Sequence, residues 1–291
     1  MKNIAIIGAG TMGNGIAHAF AQSGFHVTLV DRNMEALENG KANIEKNLSR
    51  QVSKGTIDEA AKQAALDRLF LATITEVEYD ITDLVVEAIY ENFEAKAEIF
   101  RSLDEKCPSA TILASNTSSI SITKLAAATS RPDRVIGMHF MNPVPVMKLV
   151  EVIKGYATSE ATLAAVLEAT KALGKVPVPA NDFPGFVANR ILMPMINEAI
   201  CALQEGVAGI AEIDEIMKLG MAHPMGPLLL ADFIGLDICL SILNVLYDGY
   251  KQPKYAPNPL LVNLVTAGDK GAKTGKGFYI WAEGKVQGPS F

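Results

Sequence analysis

The sequence predicts an α/β protein in two parts. A doubly wound, mostly parallel sheet flanked by helices covers residues 1–183, and an all-helical domain covers residues 184–291. Three observations lead there. A glycine-rich turn follows the first apolar run almost at once; short apolar runs then alternate with stretches of helical periodicity; and after Pro184 the strand-like runs stop. A chain of 291 residues is also long for one core and ordinary for two domains.

Residues 3–7 are an apolar run suited to a strand buried on both faces. The turn Gly8-Ala9-Gly10-Thr11-Met12-Gly13 follows. Gly8 permits the tight turn, Gly10 lets the backbone approach a pyrophosphate, and Gly13 lets the next helix pack on the strand, while free N–H groups at the helix start face the phosphates. Residues 12–23 have helical periodicity, and residues 26–30 read as a second strand ending at Asp31. An acid roughly 20 positions past the glycines is placed to hold adenosine ribose hydroxyls. The turn and Asp31 together predict a Rossmann-type dinucleotide site. A carboxylate there repels a 2′-phosphate and favours NAD, but Arg32 offers a guanidinium that can grip one, which leaves NADP open.

A long helical crossover, 34–67, breaks near Lys54-Gly55-Thr56, where glycine marks a turn. Strands are predicted at 69–72, 83–88, 111–114, 135–138, 147–153 and 176–178, with helices at 92–106, near 121–128 and at about 159–173. Asn181-Asp182-Phe183-Pro184-Gly185 supplies the breakers of a domain boundary. Beyond it, residues 185–203, 210–219, 226–247 and 260–266 are apolar at helical spacing. They are too apolar around their circumference for one small bundle, so a homodimer through these helices is expected.

Composition narrows the function. With 26 basic and 32 acidic side chains the net charge is −6, so a nucleic-acid partner has no global electrostatic support. Cys107, Cys201 and Cys239 are odd in number, far apart and without metal-ligand spacing, which predicts free thiols in a reducing compartment and no metal site. The first strand starts at residue 3, leaving no room for a signal peptide, and the most apolar region, 224–247, carries Asp232 and Asp237. A cytoplasmic protein without a membrane partner is the expectation.

The second informative stretch runs from His139 to Glu151, with Asn142, Pro143 and Pro145 between them. Glu151 sits inside an apolar strand, where an unpaired carboxylate is costly, so it requires a cationic or hydrogen-bonding partner. His139 is the economical choice, since the two prolines make a rigid connection that can turn the chain back. A carboxylate on one imidazole nitrogen fixes the tautomer and stabilises the imidazolium, making the other nitrogen a general base near neutral pH. Removing hydride from an alcohol requires that the hydroxyl proton leave as well. The reaction class predicted is alcohol–ketone oxidoreduction.

Ala114-Ser115-Asn116-Thr117-Ser118-Ser119, the His139–Glu151 segment, Pro184-Gly185-Phe186-Val187-Ala188-Asn189-Arg190 and Lys273-Thr274-Gly275-Lys276-Gly277-Phe278-Tyr279 occur in that order. With them the whole chain resembles the 3-hydroxyacyl-CoA dehydrogenase family. The resemblance implies that His139 is the base and Glu151 its partner, that Ser118 and Asn189 hold the substrate oxygens near the nicotinamide, and that Asn142 joins them there. It also implies cofactor contacts at Glu91, Lys96 and Lys273. Each has a plainer reading: Ser118 or Asn189 as a helix cap, Glu91 and Lys96 as a solvated pair.

Coenzyme A carries three phosphate groups, and an acidic protein must offset them locally. Lys46, Arg50 and Lys54 recur at four-residue spacing along one helical face. The resemblance places a CoA contact on Lys54 and another at Asn47, where relatives often carry serine; the amide keeps a hydrogen-bond donor. The function so implied is NAD-dependent oxidation of short-chain (S)-3-hydroxyacyl-CoA, or the reverse reduction. A dehydrogenase of a non-CoA hydroxy acid such as a sugar acid, and a non-catalytic dinucleotide-binding protein, are the alternatives.

Overall fold

Runs dominated by β-branched and aliphatic residues become the strands, and the longer stretches of helical periodicity between them become the helices. The computed structural model describes all residues, 1–291. Its first unit, Met1–Phe183, runs β1 (Asn3–Ile7), α1 (Thr11–Gln22), β2 (His26–Asp31), α2 (Met34–Ser53), α3 (Glu59–Asp67), β3 (Leu69–Thr73), β4 (Leu84–Glu87), α4 (Phe93–Lys106), β5 (Ile112–Ser115), α5 (Ile122–Ala126), β6 (Val135–Phe140), β7 (Leu149–Lys154), α6 (Glu160–Ala172) and β8 (Val176–Asn181). Asn33, Asp58, Asn92, Ser121 and Ser159 cap their helices, each accepting an amide N–H of the first turn.

The eight strands lie in the order β3-β2-β1-β4-β5-β6-β7-β8. The sheet is doubly wound and mostly parallel, as the sequence predicts. All pairs are parallel except β6–β7. The connection over residues 141–148 is too short for a crossover, so β7 returns antiparallel, whereas α6 supplies the crossover that makes β8 parallel to β7. Chain order reverses between β1 and β4, and ligands of such sheets bind outside the strand carboxyl ends at that point. Ile6, Leu29, Val86, Ile136 and Val152 are fully buried there, with Phe20 from α1 packed over them.

At the β8 edge of the sheet, Val176 donates its amide to the Lys148 carbonyl at 2.8 Å. Because amides alternate sides along a strand, Pro177 and Pro179 fall on the outward side of β8.

The second unit, Pro184–Phe291, contains α7 (Ala188–Gln204), α8 (Ile210–Gly220), α9 (Pro227–Ile234), α10 (Leu236–Tyr250) and α11 (Pro259–Ala267), then β9 (Tyr279–Ala282) and β10 (Lys285–Pro289). Met193, Ile196, Leu228, Leu236, Leu243 and Phe278 form its core. Two expectations are corrected here. The stretch 226–247 is two helices, because Gly235 at φ +105° bends the chain by 98°. The unit is helical but not wholly so: β9 and β10 form an antiparallel ribbon around Glu283 and Gly284, both with positive φ, as a tight hairpin turn requires. No single helix is long and apolar enough to cross a membrane; α9 and α10 reach that length only together, across their bend.

Candidate active site

The glycine turn leaves β1 at its carboxyl end. Gly8 takes φ +105° and lies so close to β4 that a Cβ would stand 2.7 Å from the Ala88 carbonyl oxygen. A Cβ on Gly13 would stand 1.7 Å from the Gly8 oxygen, so that glycine serves helix–strand packing. Gly10 is different, since a Cβ there meets nothing within 4 Å. The protein does not need that glycine for its own packing, and the open space is what a closely approaching pyrophosphate requires. No acidic side chain occupies the first turn of α1, so the positive helix end over Thr11 and Met12 is left for an anion.

Asp31 closes the turn from the end of β2. Its Oδ2 accepts the Ala9 amide at 2.7 Å and its Oδ1 the Arg32 amide at 2.7 Å. A cleft of about 280 Å³ opens beside it, lined by Gly8, Gly10, Asp31, Arg32, Ile89 and Tyr90 among others. The open glycine, the unopposed helix terminus and the acid at the cleft rim fit a dinucleotide.

The antiparallel pairing of β6 with β7 puts His139 directly opposite Glu151. Opposed residues share a face of the sheet. Both side chains are buried, and His139 Nδ1 lies 2.8 Å from Glu151 Oε2. A carboxylate can only accept, so Nδ1 carries the hydrogen and Nε2 is the basic nitrogen. The Phe140 amide donates to Asn116 Oδ1 at 2.9 Å, which ties the end of β6 to the loop after β5.

That loop carries Ser118, and Glu91 organises it. Glu91 Oε1 accepts the Ser118 amide at 3.0 Å, the Ser119 amide at 3.1 Å, the Ser119 hydroxyl at 2.8 Å and the Thr117 hydroxyl. Desolvation pushes the Glu91 carboxyl up, but the Lys96 charge and these donors outweigh it and hold the carboxyl below its ordinary value. Lys96 is only 1% exposed, so the solvated-pair reading does not apply to it. Ser118 is not a helix cap either, because Ser121 caps α5.

Asn142 lies exposed three residues beyond His139, at a cis Asn142–Pro143 bond. Lys175, buried on the far side of the same connection, donates to the carbonyls of Val144 at 2.6 Å and Met147 at 2.7 Å. Lys46 and Arg50 form an exposed row on α2, continued by Lys54 in helical conformation just past its end, with Asn47 half-buried beside them.

Asn189 and Lys273 belong to the second unit. Asn189 is buried in the first turn of α7, and Lys273 sits in a 3₁₀ turn, its Nζ 2.5 Å from Asp237 Oδ1. The Lys273–Tyr279 motif has a structural reason that sequence reasoning missed. Asp232, fully buried, accepts the amides of Phe278 and Tyr279, both at 2.9 Å, and a Cβ on Gly277 would stand 2.0 Å from its Oδ1. Sequence reasoning also missed Glu87, although an acid ending the apolar run Leu84-Val85-Val86 carries the signal that singled out Glu151.

Comparison with known proteins adds an independent finding. The family model described as "3-hydroxyacyl-CoA dehydrogenase, NAD binding domain" matches residues 3–183, and that described as "3-hydroxyacyl-CoA dehydrogenase, C-terminal domain" matches residues 185–281. A probable 3-hydroxybutyryl-CoA dehydrogenase of Bacillus subtilis (strain 168) is 55% identical over 284 residues, covering 97% of this chain and 98% of that protein. The 3-hydroxybutyryl-CoA dehydrogenase of Bradyrhizobium diazoefficiens is 53% identical over 285 residues, covering 98% and 97%. The crystal structure of (S)-3-hydroxybutyryl-CoA dehydrogenase from Ralstonia eutropha superposes with a TM-score of 0.94 at 51% identity, covering 97% of this chain and 100% of that one.

Proposed function

The chain belongs to the 3-hydroxyacyl-CoA dehydrogenase family, and from this premise we propose that it catalyses NAD-dependent interconversion of short-chain (S)-3-hydroxyacyl-CoA, 3-hydroxybutyryl-CoA in particular, and the 3-ketoacyl-CoA. The observation that carries the reading is the buried His139–Glu151 pair at 2.8 Å, on the sheet whose β1–α1 turn fits a dinucleotide. When bound, the nicotinamide supplies the hydride acceptor or donor. The glycine turn and the start of α1 hold the pyrophosphate, and Asp31 holds the adenosine ribose.

His139 Nε2 takes the proton of the 3-hydroxyl, and Glu151 stabilises the imidazolium that results. In the reverse direction the imidazolium returns the proton to the developing alkoxide. Ser118 supports the substrate oxygen from the loop that Glu91 organises, and Asn142 adds an amide on the nicotinamide side. Lys54 and Asn47, with the exposed charges of Lys46 and Arg50, offset the phosphates of coenzyme A. The roles of Asn189 and Lys273 rest on the family resemblance.

We further propose a homodimer and a cytoplasmic location. The first is supported by the exposed apolar side chains of Ile191, Ile216, Leu219 and Phe233 on α7 to α9, the second by three free thiols.

The decisive experiment measures NADH consumption with acetoacetyl-CoA for the parent and for His139→Ala. Loss of the base is expected to lower turnover by about 10²–10⁴-fold with NADH binding retained. Equal turnover in the two proteins would remove His139 from the reaction, and a parent inactive on every acyl-CoA but active on free hydroxy acids would overturn the substrate class.

A further inference from the structure

We propose that Glu87 and Lys96 are positioning residues that act through Glu91 to fix the loop carrying Ser118. Glu87 ends β4 at the point where strand order reverses, and it is fully buried. Its Oε1 accepts Lys96 Nζ at 2.6 Å and the Ile89 amide at 2.7 Å. Its Oε2 accepts the Ser115 hydroxyl at 2.6 Å, and Ser115 Oγ in turn accepts the Thr117 amide at 3.2 Å. One carboxylate therefore braces both the segment leading to Glu91 and the start of the Ser118 loop.

Lys96 forms the next link. Its Nζ also donates to the Ile89 carbonyl at 3.2 Å and stands 3.4 Å from Glu91 Oε2. An ammonium has three N–H groups, and three acceptors surround this one. Lys96 therefore ties Glu87 to Glu91, a positioning part additional to the cofactor contact that the family resemblance implies for it.

Glu91 is the last link, gathering donors from Thr117, Ser118 and Ser119 on one oxygen. A carboxylate that collects donors from three consecutive residues holds their backbone in one arrangement. Lys96 holds that carboxylate ionised and aimed, and Glu87 holds Lys96. A buried charge pair is a poor device for stability alone, since well-packed apolar residues stabilise as much. Its value here is the placement of the loop.

This inference rests on the reading of Ser118 as a group that supports the substrate oxygen. The test uses the full-length chain with Glu87→Gln, the double variant Glu87→Gln/Lys96→Met, and Glu91→Ala, which removes the last link and leaves the Glu87–Lys96 contact in place. NADH titration by fluorescence counts the folded, binding-competent sites. Hydrogen exchange is then read over residues 116–120, and turnover of acetoacetyl-CoA is expressed per NADH site.

The expected result is faster exchange confined to that loop and turnover per site reduced by up to about 10²-fold, the cost of a misplaced catalytic group. The double variant, which also takes the ammonium away from Glu91, is expected to lose at least as much as Glu87→Gln. Parent-like exchange over 116–120 in all three variants overturns the proposal, as does faster exchange with turnover per site unchanged. Failure of the underlying reading shows separately, as a Ser118→Ala variant whose turnover per site equals the parent's.

Discussion

At the scale of single residues, burial of ionisable groups separates chemistry from architecture. His18 on α1 is 1% exposed, its Nδ1 has no hydrogen-bond partner, and its Nε2 lies 3.3 Å from the Gln51 amide nitrogen. Burial pulls the ring down from 6.5 to about 4; the nearby Gln22 side chain opposes this, and the Lys175 charge adds to it. The folded ring refuses a proton that the unfolded ring accepts. Stability is thus undiminished above pH 6.5, falls as pH drops toward 4, and has lost about 3 kcal/mol below that. Urea unfolding midpoints of the parent and of His18→Gln, compared across this window, are expected to show a flatter pH dependence in the variant. Parallel curves would mean that the ring protonates in the folded state. Glu151 was legible in the sequence because an acid inside an apolar strand demands a partner, and His139 was close enough in the chain to be named. Asp232 was not legible, because its partners Phe278 and Tyr279 lie more than forty residues away and only the folded chain brings them near.

At the scale of elements, the glycine turn makes a discriminating prediction, because its glycines serve different masters. Gly13→Ala drives a Cβ into the Gly8 carbonyl and is expected to destabilise the first unit and abolish NADH binding together. Gly10→Ala meets no protein atom and is expected to leave the melting temperature unchanged while weakening NADH binding about tenfold or more, since the methyl stands where the backbone must approach phosphate. A Gly10→Ala protein that binds NADH normally would move the pyrophosphate elsewhere. The alternation of strands and helices, and so the doubly wound sheet, could be read from pattern because each run has its own period. Two features could not. The direction of β7 depends on the length of one loop, and the bend at Gly235 lies inside an unbroken apolar stretch whose periodicity suits one helix as well as two.

For the whole molecule, the exposed apolar side chains of the second unit set the prediction. Leu219 and Phe233 are 77% and 65% exposed, and Ile191 on α7 is 66% exposed. A dimer that buries them is expected to run as twice the chain mass by light scattering, and Leu219→Glu with Phe233→Glu to shift it toward monomer; a parent that is monomeric at every concentration would rule the dimer out. Association of that kind must stay confined to one face, and the eight-stranded sheet offers a rival one. An open sheet ends in a row of backbone groups that can template the growth of further strands. With Pro177 and Pro179 turned outward, β8 presents oxygens with no matching hydrogens at those two positions. An incoming strand that tries to extend the sheet past β8 therefore meets a broken ladder, two of whose rungs have no donor to offer.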